Sequence, residues 1–416
     1  MKKGYSHLKC GLIGRKLSHS FSKPIHNALA DYDFAMCELE PEQVEDFVKN
    51  GELDAFCITI PYKKDVMPFL DEISTEAKTI GAVNVVVKRD GKRFGYNTDY
   101  FGFEYMVRRA NIDVKGKKAV VFGAGGASAT VCALLRDKGV RELVCLGSAD
   151  NTPENAIANG DAEIIVNATP VGMYPKNNVS PTSLSYFPKC EAVFDLIYNP
   201  ARTALMIEAE ERGIPALNGL SMLVAQAARA FEHFTGDPYE DGIIEDIVSN
   251  LSADTQNLIL IGMPGCGKST VGRLSAEALG REFLDADVEF TKIHGITPAD
   301  AIKTLGEEKF RLMETETLAE LSKLSGKVIA TGGGAVTKER NYPLLHQNGV
   351  IVFLERELDK LATDGRPISR STNVKDLYER RISAYERFAD IKVKSTEIPS
   401  KTAELICTEF KKAFKG

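Results

Sequence analysis

A glycine-rich loop between a short apolar run and a helical stretch constrains this chain more than any other feature. Leu258 to Ile261 read as a strand that enters Gly262-Met-Pro-Gly265-Cys266-Gly267-Lys268-Ser269-Thr270 and then the helical pattern TVGRLSAEALG. This is GxxxxGK[ST] in the strand–loop–helix setting that the motif requires. Gly265, Cys266 and Gly267 turn backbone N–H groups into the loop, and the end of the following helix adds partial positive charge, so the loop cradles phosphate. Lys268 then reaches the β- and γ-phosphates of a bound nucleotide. Ser269 carries the hydroxyl that ligates Mg²⁺, and Thr270 lies beside it.

The rest of the chain follows the same rhythm. Short β-rich runs (CGLIG, AFCITI, AVNVVV, KKAVVFG, ELVCLG, EIIVNA, AVFDLIY, VIATGG, GVIVFL) alternate with helical patterns. That alternation predicts an α/β architecture with parallel sheets. A polar stretch, SNLSADTQN from Ser249 to Asn257, is the best seam. It leaves about 250 residues before it and about 160 after, each enough for its own core. Composition narrows the partners. With 52 basic and 58 acidic residues the net charge is −6 and no basic block stands at either end, which argues against nucleic acid. No apolar run approaches membrane-spanning length. After Met1-Lys-Lys the sequence is too short and polar for a signal segment. Eight cysteines without a CxxC pair read as reduced thiols, and six histidines without HExxH give no metal site. The expectation is a cytoplasmic enzyme with small-molecule substrates, its oligomeric state left open.

Behind the phosphate loop stand further motifs. FLDADVEF places Asp285 and Asp287 at a strand end, GEEKFRLMETE puts Arg311 and Glu314 on one helical face, and TGGGAV supplies Gly333 and Gly334. DGRPIS carries Arg366, and RRISAYERFAD spaces Arg381 and Tyr385 by one helical turn. In this order, this half resembles shikimate kinase over nearly its whole length. The resemblance implies that Asp287 holds the substrate hydroxyls and takes the proton of the attacking one. It makes Arg311 and Arg381 a clamp on the substrate carboxylate, with backbone contacts from Gly333 and Gly334. Asp285 would join Ser269 around Mg²⁺, ATP would be the donor, and Arg366 would meet the transferring phosphoryl group. Guanidinium forks suit a planar carboxylate, and phosphoryl transfer needs mainly positioning and charge neutralisation. One departure is plain. Family members commonly carry another arginine shortly before the Arg-Pro pair, where this chain has Ala362 and Thr363.

The first half contains KKAVVFGAGGASATVCALLRDKG, a strand, a glycine turn (Gly123, Gly125, Gly126, then Ala127) and a helix. Such a turn accepts a dinucleotide pyrophosphate. Around it lie Ser20 and Ser22 in LSHSFSKP, Thr59 and Lys63 in ITIPYK, Asn84 in GAVN and Asp99 in GYNTD. Later come Tyr198 in DLIYNP and Met222 and Gln226 in NGLSMLVAQ. Together these resemble shikimate dehydrogenase over roughly residues 8 to 248. The resemblance implies that Ser20, Ser22, Thr59, Asn84, Asp99, Tyr198 and Gln226 surround a polyhydroxy acid, and that Lys63 and Asp99 form the catalytic pair. A positioned amine relays the hydroxyl proton as hydride moves. Gly123, Gly125, Gly126, Ala127, Ser148 and Met222 would bind the cofactor. NADP-using members end the second strand of this domain in an arginine-bearing turn; here the turn is Gly147-Ser148-Ala149, and Glu142 to Asp161 holds no Lys or Arg. The resemblance gives NADP, with NAD as the alternative that the local chemistry allows.

The two resemblances predict an α/β substrate-binding domain at 1–100 with 220–248 returning, and a Rossmann-type NAD(P)-binding domain at 101–219. A linker at 249–257 and a P-loop kinase domain at 258–416, with a parallel sheet of the nucleoside-monophosphate-kinase type, complete the chain. They predict one chain that reduces 3-dehydroshikimate to shikimate and phosphorylates shikimate. A quinate/shikimate NAD dehydrogenase joined to the kinase, or a non-catalytic metabolite sensor, is the alternative.

Overall fold

Three sheets carry the chain in a computed structural model that describes residues 4–17, 20–361 and 374–415. The first sheet contains β1 (Lys9–Gly14), β2 (Asp33–Glu38), β3 (Ala55–Ile58), β4 (Glu72–Ile73), β5 (Val85–Arg89) and β6 (Lys92–Tyr96), in the order β2-β1-β3-β5-β6-β4. It is mixed: β1 runs parallel to β2 and β3, whereas β5 is antiparallel to β3 and β6. The β5–β6 hairpin turns through Asp90 and Gly91 at φ 49° and 73°, the two-residue turn whose twist matches its strands. Both faces of this sheet are covered. Cys10, Leu12, Phe34, Val85 and Val87 pack with Phe231 and Phe234 on one side, and Ile13, Phe56, Ile58 and Val86 pack with Val44, Val48 and Val66 on the other. That is the period-2 alternation of a strand buried twice.

The second sheet holds β7 (Lys118–Phe122), β8 (Glu142–Leu146), β9 (Ile164–Asn167), β10 (Ala192–Asp195) and β11 (Ala216–Asn218). It is wholly parallel in the order β11-β10-β9-β7-β8. The direction of winding reverses at β7, so the crevice beyond the carboxyl ends of β7 and β9 is where such a sheet binds ligand. The third sheet, β12 (Asn257–Ile261), β13 (Phe283–Asp285), β14 (Val328–Ala330), β15 (Gly349–Glu355) and β16 (Ile391–Lys394), is also parallel, in the order β13-β14-β12-β15-β16. Its central strand β12 is fully buried and delivers the phosphate loop at another such reversal.

The chain separates into one unit of Met1–Val171, Ser180–Tyr198 and Glu208–Val248, and a second of Gly172–Val179, Asn199–Ile207 and Ser249–Gly416. Two expectations need correction. The boundary between the units falls at Val248 and Ser249, at the expected seam, but residues 249–257 have regular structure: Ser249 to Thr255 complete the helix Ile243–Thr255, and Asn257 already opens β12. The stretch is polar, but it contains neither Gly nor Pro, so nothing stops the helix that buried Ile244, Ile247 and Val248 begin. Nor does all of 101–219 group with the dinucleotide sheet. The second unit includes 199–207, where the Arg202 N–H donates to Gln347 O at 2.8 Å, its guanidinium donates to His346 O at 3.2 Å, and the Ala201 N–H donates to Asn348 Oδ1 at 3.3 Å.

Candidate active sites

In the first unit, β3 ends at Ile58 and the chain turns through Thr59 to Lys63, whose carbonyl accepts from Val83 N–H at 2.8 Å. Asp99 stands in the first turn of the helix Asp99–Arg109, where the helix dipole favours a carboxylate. Lys63 Nζ and Asp99 Oδ2 are 2.5 Å apart, with side chains 19% and 11% exposed. Asn84 braces the pair: its Nδ2 donates to Asp99 Oδ1 at 3.0 Å and its Oδ1 accepts from Thr98 N–H at 2.7 Å. Thr98 Oγ1 in turn donates to Gln226 Oε1 at 3.2 Å. Four of the residues singled out in the sequence thus form one connected polar cluster. Ser20 and Ser22 lie together with Oγ atoms 3.1 Å apart, and Phe21 between them packs on Tyr198 with ring centroids 5.1 Å apart. Burial pushes the Tyr198 phenol up from its ordinary value. Thr59 follows β3 with its N–H on Ile13 O. Met222 sits in the core of the dinucleotide lobe.

The glycine turn leaves β7 at Gly123 (φ +119°), where any Cβ would stand 2.9 Å from Ala168 O. Gly125 and Gly126 face open space: a Cβ on either would meet nothing within 4 Å. Gly125 caps the helix Gly126–Asp137 without any side-chain hydrogen bond to its N–H groups. By contrast Ser74, Thr152 and Thr297 cap their helices through side-chain oxygens. The free amides beside Gly125, Gly126 and Ala127 therefore suit an anionic ligand. Ser148 is exposed in the turn after β8, and Lys118, which opens β7 beside Glu142, is committed to Glu142 and Asp161 at 3.0 and 2.9 Å.

The second unit gathers its motif residues around one cavity of about 380 Å³ lined by Gly265, Lys268, Ser269, Asp285, Asp287 and Arg311, among others. The helix Lys268–Leu279 again starts at a glycine, Gly267, with no side-chain cap. Lys268 Nζ is buried on its own loop, donating to Gly262 O at 2.8 Å and Met263 O at 3.0 Å. Asp285 ends β13 and caps the next helix by accepting from Asp287 N–H, so Asp287 opens a helix and both carboxylates line the cavity. Ser269 Oγ donates to Asp285 Oδ2 at 2.7 Å. These two oxygens sit beside the phosphate loop, an arrangement suited to a Mg²⁺ that rides on nucleotide phosphates.

Arg311 is buried against Glu314 at 2.7 Å and Glu307 at 3.2 Å. Burial raises the Glu314 carboxyl above its ordinary value, and Arg311 opposes that shift. The Arg311 guanidinium lies flat on Gly334: a Cβ there would stand 2.2, 2.3 and 2.5 Å from Nη2, Nη1 and Cζ. Arg381 Nη1 and Tyr385 Oη both donate to Gly333 O, at 2.9 and 2.5 Å. Cys266 is wholly buried under the loop. Arg366, with Ala362 and Thr363, lies outside the described residues.

Sequence reasoning missed two groups. Arg356, just past β15, brings Nη1 to 3.7 Å from where a Cβ on Gly267 would stand, and it lines a small pocket with Lys360, Ser395 and Thr396. Only the position of an arginine immediately after a buried strand hinted at it. The second is Asn167 at the end of β9, whose Nδ2 donates to both oxygens of buried Asp195 at 3.0 and 3.1 Å, fixing the rim of the dinucleotide crevice.

A glycine turn open to a dinucleotide and a buried lysine–aspartate pair, followed on the same chain by a phosphate loop that shares a cavity with two arginines, define an oxidoreductase joined to a phosphotransferase. Comparison with known proteins agrees. The shikimate dehydrogenase substrate binding domain matches residues 12–86, the shikimate 5'-dehydrogenase C-terminal domain matches 219–238, and shikimate kinase matches 264–413. The shikimate dehydrogenase (NADP(+)) of Caldanaerobacter subterraneus subsp. tengcongensis is 36% identical over 56% of this chain and 94% of its own length. Shikimate dehydrogenase 1 from Peptoclostridium difficile superposes with a TM-score of 0.55 at 36% identity, over 59% of this chain and 97% of that one. The Listeria monocytogenes shikimate 5-dehydrogenase, solved with shikimate and NAD, gives 0.53 at 29% identity, over 59% and 98%. The chain belongs to the shikimate dehydrogenase family and carries a shikimate kinase domain behind it, making it a bifunctional enzyme of the shikimate pathway.

Proposed function

We propose that Lys63 and Asp99 carry the reduction of 3-dehydroshikimate, and that the cavity around Lys268 carries the phosphorylation of the shikimate so formed. The observation behind the first part is the 2.5 Å Lys63–Asp99 contact inside a bracing cluster of Asn84, Thr98 and Gln226. When bound, the dinucleotide supplies the hydride. Lys63 as ammonium delivers a proton to the oxygen of the carbonyl being reduced, and Asp99 aims that amine. Asn84 and Gln226 hold ring hydroxyls, while Ser20, Ser22, Thr59 and Tyr198 supply further donors. The amides at Gly125 to Ala127 hold the pyrophosphate, with Ser148 toward the adenosine ribose. The dinucleotide is NADP, as the name of the Caldanaerobacter relative has it; the absence of a cation from Glu142 to Asp161 keeps NAD as a second substrate.

In the kinase, Asp287 accepts the proton of the attacking hydroxyl, and Arg311 and Arg381 fix the carboxylate at the far side of the ring. Lys268 leaves the carbonyls of Gly262 and Met263 for the transferring phosphate. Arg356 adds charge beside Gly267. Ser269 and Asp285 would hold Mg²⁺, which neutralises phosphate charge when bound. Both products stay in solution, so one incubation tests the reading. Protein with 3-dehydroshikimate, ATP, Mg²⁺ and NADPH should yield shikimate 3-phosphate by mass. Omitting NADPH should leave the substrate unchanged, and omitting ATP should stop the sequence at shikimate; any other product pattern contradicts the assignment.

A further inference from the structure

The mechanism uses the thiol of none of the eight cysteines, and two of them meet in the wall of the dinucleotide pocket. Cys132 is on the helix Gly126–Asp137 and is 4% exposed; Cys145 is on β8 and exposed. Their Sγ atoms are 2.9 Å apart. Both line a cavity of about 430 Å³ together with Gly123, Gly125, Ser128 and Arg136. A chain of contacts joins them to the turn that leaves β7: Ser128 Oγ lies 4.0 Å from Cys132 Sγ and donates to Gly123 O at 2.7 Å.

We propose that Cys132 and Cys145 form a reversible dithiol–disulfide site that alters the dinucleotide pocket when oxidised. The oxidant is a low-molecular-weight disulfide. Cys145, the exposed member, attacks one sulfur of it as the thiolate. One external thiol leaves with a proton, and a mixed disulfide remains on Cys145. Cys132 then loses its proton, attacks Cys145 Sγ and expels the second external thiol. Two protein S–H bonds become one S–S bond, and the external disulfide takes up two electrons and two protons. Burial, together with the hydrogen bond to Cys145, pushes Cys132 up to about 12, and Cys145, the exposed sulfur of the two, is the point of entry. Closing the bond draws the sulfurs to about 2.05 Å. The helix bearing Gly126 and Ala127 is thereby tied to the strand beneath it, and the amides that face the pyrophosphate shift.

The effect on binding rests on the assignment of this pocket to the dinucleotide; the cross-link does not, so the two are read separately. The full chain is incubated with excess oxidised glutathione, after which free thiols are counted and tryptic peptides mapped by mass without reducing agent. Two thiols should be lost, with Cys132 and Cys145 in one linked pair that dithiothreitol releases. Cys145→Ser should lose none, and Cys132→Ser should stop at a glutathione adduct on Cys145. The linked enzyme should show a dinucleotide KM raised at least about threefold, with kinase kcat unchanged. A stable glutathione adduct without linkage in the wild type, or equal thiol loss in the Cys145→Ser variant, overturns the site. A linked enzyme with an unchanged dinucleotide KM overturns its effect on the pocket.

Discussion

Gly334→Ala should disable shikimate binding in the kinase while sparing ATP. The added Cβ would stand 2.2 Å from Nη2 and 2.3 Å from Nη1 of Arg311. Ordinary carbon contacts begin near about 3.5 Å, so the guanidinium must retreat by more than about 1 Å. Arg311 has little room to retreat without loss. It is held at 2.7 Å by Glu314 and at 3.2 Å by Glu307, and such a shift takes at least one of these beyond hydrogen-bond reach. A displaced fork forfeits a charged bidentate contact to the carboxylate, worth about 2–3 kcal/mol, or about 30- to 150-fold in shikimate KM. Steady-state kinase assays with each substrate varied in turn read this directly. ATP KM should move much less than shikimate KM, because the added Cβ meets Arg311 and not the phosphate loop, and dehydrogenase kcat/KM should stay within about twofold, because Gly334 belongs to the other unit. Combining Gly334→Ala with Arg311→Lys should cost little more than the worse single variant, since both act on one contact. A folded Gly334→Ala protein whose shikimate KM moves less than about threefold would refute the placement of Arg311 or its role.

Three further outcomes are expected. Lys63→Ala should lower dehydrogenase kcat by about 10²–10⁴, the scale of general acid–base catalysis, with kinase kcat within about twofold, and Lys268→Ala should do the converse; a folded Lys63→Ala enzyme that is crippled in both reactions contradicts the assignment. Discrimination between NADP and NAD, measured as the ratio of kcat/KM with shikimate, should fall below about 10³, because the turn after β8 carries no cation; a larger ratio means that another residue meets the 2′-phosphate. The third concerns His26, fully buried between Tyr32 and Phe34 and pushed by that burial down to about 3. A base with a lowered folded pKa gives stability that is complete above its unfolded value near 6.5 and lost as pH falls toward 3. The first unit should therefore lose about 2 kcal/mol between pH 7 and pH 5, seen as a falling urea midpoint. His26→Asn, which can keep a bond to Tyr32, should flatten that dependence, and an unchanged slope would place the titration elsewhere.

Much of this protein was legible in its sequence because the relevant signals are local. A phosphate loop needs glycines, a lysine and a hydroxyl at fixed spacing between a strand and a helix, and those residues carry their own geometry wherever the fold places them. The glycine turn after β7 is local in the same way. Helical spacing likewise put Arg311 beside Glu314 and Arg381 one turn from Tyr385, and the structure keeps both relations. Local polarity misled at Ser249–Asn257, where a run that looks like a linker continues a helix. Helix continuation depends on the absence of a breaker and on burial begun upstream, not on the polarity of the residues that follow.

What only the tertiary structure decided are relations between residues far apart in the chain. Asn84, Asp99 and Gln226 come from a strand entry and two separate helices, and their hydrogen bonds exist only once those helices pack. Arg311 meets Gly334 because a helix and the loop after β14 converge, and no spacing rule encodes that approach. Arg356 reaches Gly267 through the parallel pairing of β12 with β15, which brings residues about ninety positions apart together at the carboxyl ends of the strands. Cys132 and Cys145 read as ordinary scattered thiols until a helix and the neighbouring strand set their sulfurs 2.9 Å apart. Sequence specified the chemistry each residue could perform; packing, which depends on the shape of every neighbour at once, chose which of those residues would act together.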